Sequence, residues 1–92
     1  MSEQVLYKIH IRGRVQGVGF RWNAAREARD RQIKGFVRNL SDGSVYIEAE
    51  GKREILEDFI GWCRMGPSFS SVESVEVNSF PPAGYKDFVI SH

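Results

Sequence analysis

Between residues 11 and 20 the hydrophobic period of the chain changes, and that change limits what can be built around it. Before it, Val5, Tyr7, Ile9 and Ile11 alternate with Leu6, Lys8 and His10, the pattern of a half-buried strand. After it, Phe20, Ala24 and Ala28 recur as one stripe of an amphipathic helix predicted over residues 20–31. The junction reads Gly13-Arg14-Val15-Gln16-Gly17-Val18-Gly19-Phe20-Arg21, with three glycines, no acidic residue and an arginine at each side. A strand must therefore hand over to a helix through a loop rich in residues that tolerate left-handed backbone.

That loop makes an unusual helix start. No Ser, Thr, Asp or Asn stands where a cap is expected, so several backbone N–H groups lack an obvious partner. Arg21 falls at the positive end of the helix dipole, where a cation costs about 0.3–1 kcal/mol. Free donors, flexible glycines and a guanidinium at one helix N-terminus describe an anion site, best suited to phosphate. It is not a Walker-type nucleotide loop, because no Gly-Lys-Ser/Thr follows. Gly13, Gly17 and Gly19 do not give Gly-x-Gly-x-x-Gly either.

Strand character returns from Lys34 to Leu40, and Ser41-Asp42-Gly43-Ser44 supplies a hairpin turn. Val45, Ile47 and Ala49 then alternate with Tyr46, Glu48 and Glu50 until Gly51. A second helix is expected over residues 52–65, with Ile55, Leu56, Phe59, Ile60 and Cys63 at helical spacing and Gly66-Pro67 as its stop. Val75 and Val77 mark a fourth strand. Pro81-Pro82-Ala83-Gly84 breaks the chain, and Tyr85 to Ile90 is expected to form a short edge strand. The order predicts an α+β, ferredoxin-like β-α-β-β-α-β sandwich. Two helices cover one face of an antiparallel sheet, and a short extra strand follows at the C-terminus. Residues 1–92, without repeats or a linker, read as one domain. This architecture carries many activities, so function has to be read from the site.

Composition narrows the classes. With 41% hydrophobic and 27% charged residues, the chain has the makeup of a soluble globular protein. No apolar run approaches the ~20 residues a membrane span needs. The polar N-terminus does not read as a secretory signal, and the single cysteine, Cys63, rules out an internal disulfide. Both fit a cytoplasmic location. Residues 1–38 carry nine Lys/Arg against three Asp/Glu, whereas residues 39–92 carry four against nine. A basic half attracts a small anionic substrate or nucleic acid. The rival reading is therefore a small ferredoxin-like nucleic-acid-binding domain. Such domains stack bases on aromatics of their central strands. Here the first strand offers Lys8, His10 and Arg12, and the third Tyr46 alone, which argues against it.

Conventional catalytic sets are missing. His10 and His92 are too few and too separated for a metal site, so no metal is expected. His10 alternates with a core face, and Cys63 lies on the apolar stripe of the second helix. Glu48 and Glu50 lie one alternation apart but lack any sign of a partner, so both are expected to be solvated. Asn39 calls for a reason, because asparagine is disfavoured in strands. It either opens the turn at Ser41-Asp42-Gly43 or holds an amide near the anion site, able to orient water.

The glycine motif, followed by Gly35-Phe36-Val37-Arg38-Asn39 and Asp42-Gly43-Ser44-Val45, resembles the acylphosphatase family. The likeness continues through Glu50-Gly51, Gly66-Pro67 and Tyr85-Lys86-Asp87-Phe88-Val89-Ile90, and covers essentially the whole chain. It implies hydrolysis of the carboxyl–phosphate bond of acyl phosphates, giving a carboxylate and inorganic phosphate without metal or organic cofactor. Arg21 matches the family's phosphate-binding arginine and Asn39 its water-positioning asparagine. The loop of Arg14, Val15, Gln16, Gly17, Val18, Gly19 and Phe20 matches the cradle around the phosphate. Phe36 stands where many members have tryptophan, Ile33 and Lys34 replace a more apolar approach to Gly35, and Ser44 stands where threonine is frequent. None of these removes a group with a chemical role. The expected partner is a small acyl phosphate, with inorganic phosphate as product or inhibitor. A monomer without nucleic-acid or membrane partners is expected. A related reading is a domain serving a larger enzyme, as in hydrogenase-maturation carbamoyltransferases; for a chain of 92 residues the independent enzyme is simpler.

So sparse a site suits such a substrate. Its leaving group is a carboxylate whose acid has a pKa of about 4, which departs without a general acid. A loose phosphoryl-transfer transition state asks mainly for positioning and charge stabilisation. No titratable base is evident near either motif, so the bound phosphate itself is expected to take the water's proton. Arg14 suits a steering or structural role, and Trp22 a place in the packing or at the rim.

Overall fold

The computed structural model describes residues 3–92. In chain order it contains β1 (Gln4–Arg14), α1 (Phe20–Asp30), β2 (Lys34–Asn39), β3 (Val45–Lys52), α2 (Arg53–Met65), β4 (Ser71–Phe80) and β5 (Phe88–Ile90). The sheet runs β4-β1-β3-β2-β5, with antiparallel pairing from β4 to β2. Only β5 departs from the expected antiparallel sheet: it pairs with β2 in parallel. The cause is where the chain arrives. β4 ends where Phe80 lies opposite Leu6, and β2 starts at that same end of the sheet. Residues 81–87 pass along this end, so the strand they deliver runs with β2.

The alternating face of β1, with Val5, Tyr7, Ile9 and Ile11, packs with Val37, Val45, Ile47 and Ala49 of its neighbours. Phe20, Ala24, Ala25 and Ala28 of α1 and Leu56, Phe59, Ile60 and Cys63 of α2 close the core from above. The alanines keep α1 close to the sheet, which brings its first turn level with the strand ends. β1 and β4 reach further toward the glycine loop than the alternation predicts, pairing as far as Arg14 and Ser71. Gly13 permits this. Its φ is 132°, and a Cβ there would lie 2.2 Å from the Ser71 carbonyl oxygen. The register shift between Arg12 and Gly13 is a bulge that aims the following loop.

The face away from the helices corrects one expectation. Glu48 and Glu50 are not solvated charges. Glu50 is buried, and its Oε1 accepts from the Ala83 and Gly84 N–H groups at 2.7 and 2.9 Å. Glu48 accepts from the hydroxyls of Tyr46 and Tyr85, each at 2.6 Å. The two carboxylates thus fasten residues 83–85 onto β3, and with them the approach to β5. The sequence hides this because Ala83, Gly84 and Tyr85 lie more than thirty positions from the carboxylates they meet.

Burial opposes the Glu48 charge, but the two hydroxyl donors, with Lys8 and Arg38 nearby, outweigh it and hold the carboxyl below its ordinary value. The same bond, together with burial, pushes the Tyr85 hydroxyl up to about 12. A carboxylate held low stabilises the fold fully above its unfolded-state value, and this contribution is lost as pH falls through the lower folded value. Glu48→Gln therefore melts earlier than wild type at neutral pH. The gap closes on acidification below the usual glutamate range, as thermal melts across that window will show.

Candidate active site

The glycine loop, the first turn of α1, the end of β2 and the chain at β5 and beyond meet at one end of the sheet. Gly17 and Gly19 both have φ of 77°, a left-handed conformation that costs glycine little. Gly19 is the N-cap of α1 and supplies no side-chain cap. Asn23 turns back instead, with its N–H and Nδ2 both donating to the Gly19 carbonyl at 3.0 and 2.8 Å. Among the described residues, the backbone N–H groups from Gln16 to Trp22 meet no acceptor at hydrogen-bond geometry. These donors border a cleft of about 280 Å³, lined by Val15, Gln16, Gly17, Gly19, Phe20, Arg21 and Trp22 on one side. Asn39, Ile90 and His92 complete the wall.

Arg21 enters this cleft from the first turn of α1. Its Nη1 donates to the Ser91 carbonyl at 3.1 Å and lies 3.4 Å from His92 Nδ1. None of the ion pairs among the described residues includes it. A guanidinium at a helix N-terminus without a carboxylate is an unbalanced positive centre. Asn39 enters from the end of β2 on the helix side of the sheet. Its Oδ1 is buried and has no hydrogen-bond partner among the described residues. Leaving such an acceptor unpaired costs about 1–3 kcal/mol, which fits an atom kept for a ligand.

Gln16 joins the two halves. Its Nε2 donates to the carbonyls of Leu40 and Ser44 at 2.7 and 2.8 Å, on the hairpin whose first strand ends at Asn39. The loop is thereby fixed relative to the amide. Sequence reasoning grouped Gln16 with the cradle but missed this clamp; a long amide side chain amid glycines was the available signal. Gln16→Ala is expected to lower stability by about 1–3 kcal/mol, two modest hydrogen bonds. It should also lower kcat about ten- to hundredfold through misplacement. Urea unfolding and steady-state kinetics on the same preparation test both.

The family model described as Acylphosphatase matches residues 7–90. The chain belongs to the acylphosphatase family. It is 46% identical over 88 residues to the acylphosphatase of Thermococcus kodakarensis strain KOD1, covering 96% of this chain and 97% of that protein. The crystal structure of acylphosphatase from Bacillus subtilis matches with a TM-score of 0.94 at 38% identity, over 96% of this chain and 99% of that one. Full-length HypF, solved in a phosphate- and nucleotide-bound form, matches with a TM-score of 0.88 at 33% identity; all of this chain is covered but only 12% of that one. The chain is an enzyme of acylphosphatase activity, and its family acts on small acyl phosphates.

Not every residue of the expected acylphosphatase site faces the cleft. Val15 and Phe20 are buried in the core, so only their backbone is available to a ligand. Val18 packs against the core and Arg14 is exposed at the end of β1; neither lines the cleft. His92, which no pattern in the chain placed here, does line it. No helix among the described residues is long and apolar enough to cross a membrane.

One apparent catalytic set proves structural. His10 Nε2 lies 2.7 Å from Ser44 Oγ, and Ser44 Oγ and N–H both donate to Asp42 Oδ1. In a nucleophilic triad the histidine stands between serine and carboxylate. Here the serine stands between, its proton is given to Asp42, and it is 3% exposed. The Ser44 hydrogen bonds hold the Asp42 carboxyl below its ordinary value. The set braces the hairpin behind Asn39.

Proposed function

We propose that the cleft holds the phosphate end of an acyl phosphate and that a water on Asn39 attacks it directly. Arg21 binds two non-bridging oxygens in its planar fork. The loop N–H groups from Gln16 to Trp22 face the remaining charge. Asn39 Oδ1 accepts a hydrogen bond from the water and turns its lone pair toward phosphorus. The carboxylate then leaves without protonation, and the water's proton passes to the phosphate.

One observation carries this reading: an unbalanced guanidinium and an unpartnered buried amide oxygen share a cleft with bare helix-start donors. All of these groups come from one chain, in keeping with a monomer. The free, buried Cys63 suits a reducing compartment such as the cytoplasm. The open sheet face supports a small-molecule partner over nucleic acid. It holds Phe36, Tyr46 and Tyr85, more aromatics than the sequence count, but both tyrosine hydroxyls grip the Glu48 carboxylate. Arg38, with its guanidinium carbon 5.8 and 5.5 Å from the Phe36 and Tyr46 ring centres, already occupies two of the rings on which a base would stack. Hydrolysis of acetyl phosphate with competitive inhibition by inorganic phosphate is the direct test. Noncompetitive inhibition, or no hydrolysis, contradicts this placement.

A further inference from the structure

Resting on that placement of the phosphate, we infer that Trp22 selects the acyl group and favours acyl phosphates with a planar aromatic acyl part. Trp22 follows Arg21 on the first turn of α1 and lines the same cleft. It is 62% exposed, in contrast to Phe20 two residues earlier, which is 1% exposed. The indole thus contributes little to the core. A single exposed aromatic means nothing by itself; its position at the mouth of a phosphate cleft gives it meaning.

The direction of the reaction places the acyl group there. In-line displacement sends the leaving carboxylate away from the attacking water. Asn39 Oδ1 is buried, so the water lies at the inner end and the acyl group extends outward. Trp22, the most exposed large apolar side chain of the lining, offers its surface at that outer end. Arg26 steadies the ring, with its guanidinium carbon 5.2 Å from the ring centre and its Nη2 donating to Asn23 Oδ1 at 3.1 Å. None of the aromatic pairs among the described residues includes Trp22, so no internal ring competes with a ligand for its surface. A benzoyl group offers a ring to stack on the indole, whereas an acetyl group offers one methyl.

The test compares benzoyl phosphate with acetyl phosphate in wild type, Trp22→Ala and Trp22→Phe. The ratio of kcat/KM for benzoyl over acetyl phosphate is expected to fall about three- to tenfold in Trp22→Ala, the scale of one aromatic contact. The loss appears mainly in KM for benzoyl phosphate, and Trp22→Phe recovers most of it. Phenacylphosphonate, a non-hydrolysable mimic of benzoyl phosphate, loses inhibitory strength against Trp22→Ala by the same factor relative to inorganic phosphate. An unmoved ratio overturns the role of Trp22 while wild-type hydrolysis stands. A wild type that hydrolyses neither acyl phosphate overturns the site reading beneath it.

Discussion

Arg21→Ala loses about three orders of magnitude in kcat/KM for acetyl phosphate, the range seen when an arginine is removed from a phosphoryl-transfer site. Inhibition by inorganic phosphate weakens with it, because ground state and transition state share the same grip. The fold tolerates the change. Arg21 makes no ion pair among the described residues, and its charge opposes the dipole of α1. Relief of about 0.3–1 kcal/mol offsets part of the lost bond to the Ser91 carbonyl, worth about 1.5–3 kcal/mol for a charged donor. Activity therefore collapses while stability falls by no more than about 1–3 kcal/mol, a combination that a structural arginine does not give. Arg21→Lys restores the charge but not the two-pronged geometry, so it recovers only a small part of the rate. Activity of Arg21→Ala within tenfold of wild type would remove Arg21 from the reaction.

The legible parts of this molecule were those written in short-range pattern. The alternation of β1, the stripes of α1 and α2, and the turn at Ser41–Ser44 each occupy one stretch of sequence, and each became the expected element. The placement of Arg21 and Asn39 in one cleft was also accessible, because a helix start lacking a cap and an asparagine ending a strand are local oddities. What escaped depends on distant partners. Glu50 holds Ala83 and Gly84 across 33 and 34 positions, and Gln16 reaches Leu40 and Ser44 across 24 and 28. The parallel direction of β5 follows from the path of residues 81–87, which no periodicity encodes. β4 was seen only at Val75 and Val77 because most of its ten residues are exposed, and an edge strand with little buried surface leaves a weak hydrophobic trace. His92 joins the cleft only because β5 delivers the chain there.

Asn39→Ala should separate the two halves of the site. With Arg21 and the loop donors intact, the phosphate still binds, so KM for acetyl phosphate stays within about threefold while kcat falls about 10²–10³-fold, the usual cost of one aligned polar group. Stability does not fall with it. In the free protein Oδ1 is buried without a partner among the described residues, and deleting an unpaired acceptor relieves a penalty of about 1–3 kcal/mol. Asn39→Asp has a different signature: its carboxylate repels the bound phosphate, so KM rises as kcat falls. Asn39 does not titrate, and the proposed route carries the proton of the attacking water to the phosphate. The residual pH–rate profile of Asn39→Ala therefore keeps the wild-type shape. A profile whose shape instead depended on His10, which braces Ser44 behind the hairpin, would require a base acting through the protein and would place the proton elsewhere. Undiminished kcat in Asn39→Ala would leave the water without its guide and reduce the cleft to a phosphate-binding site.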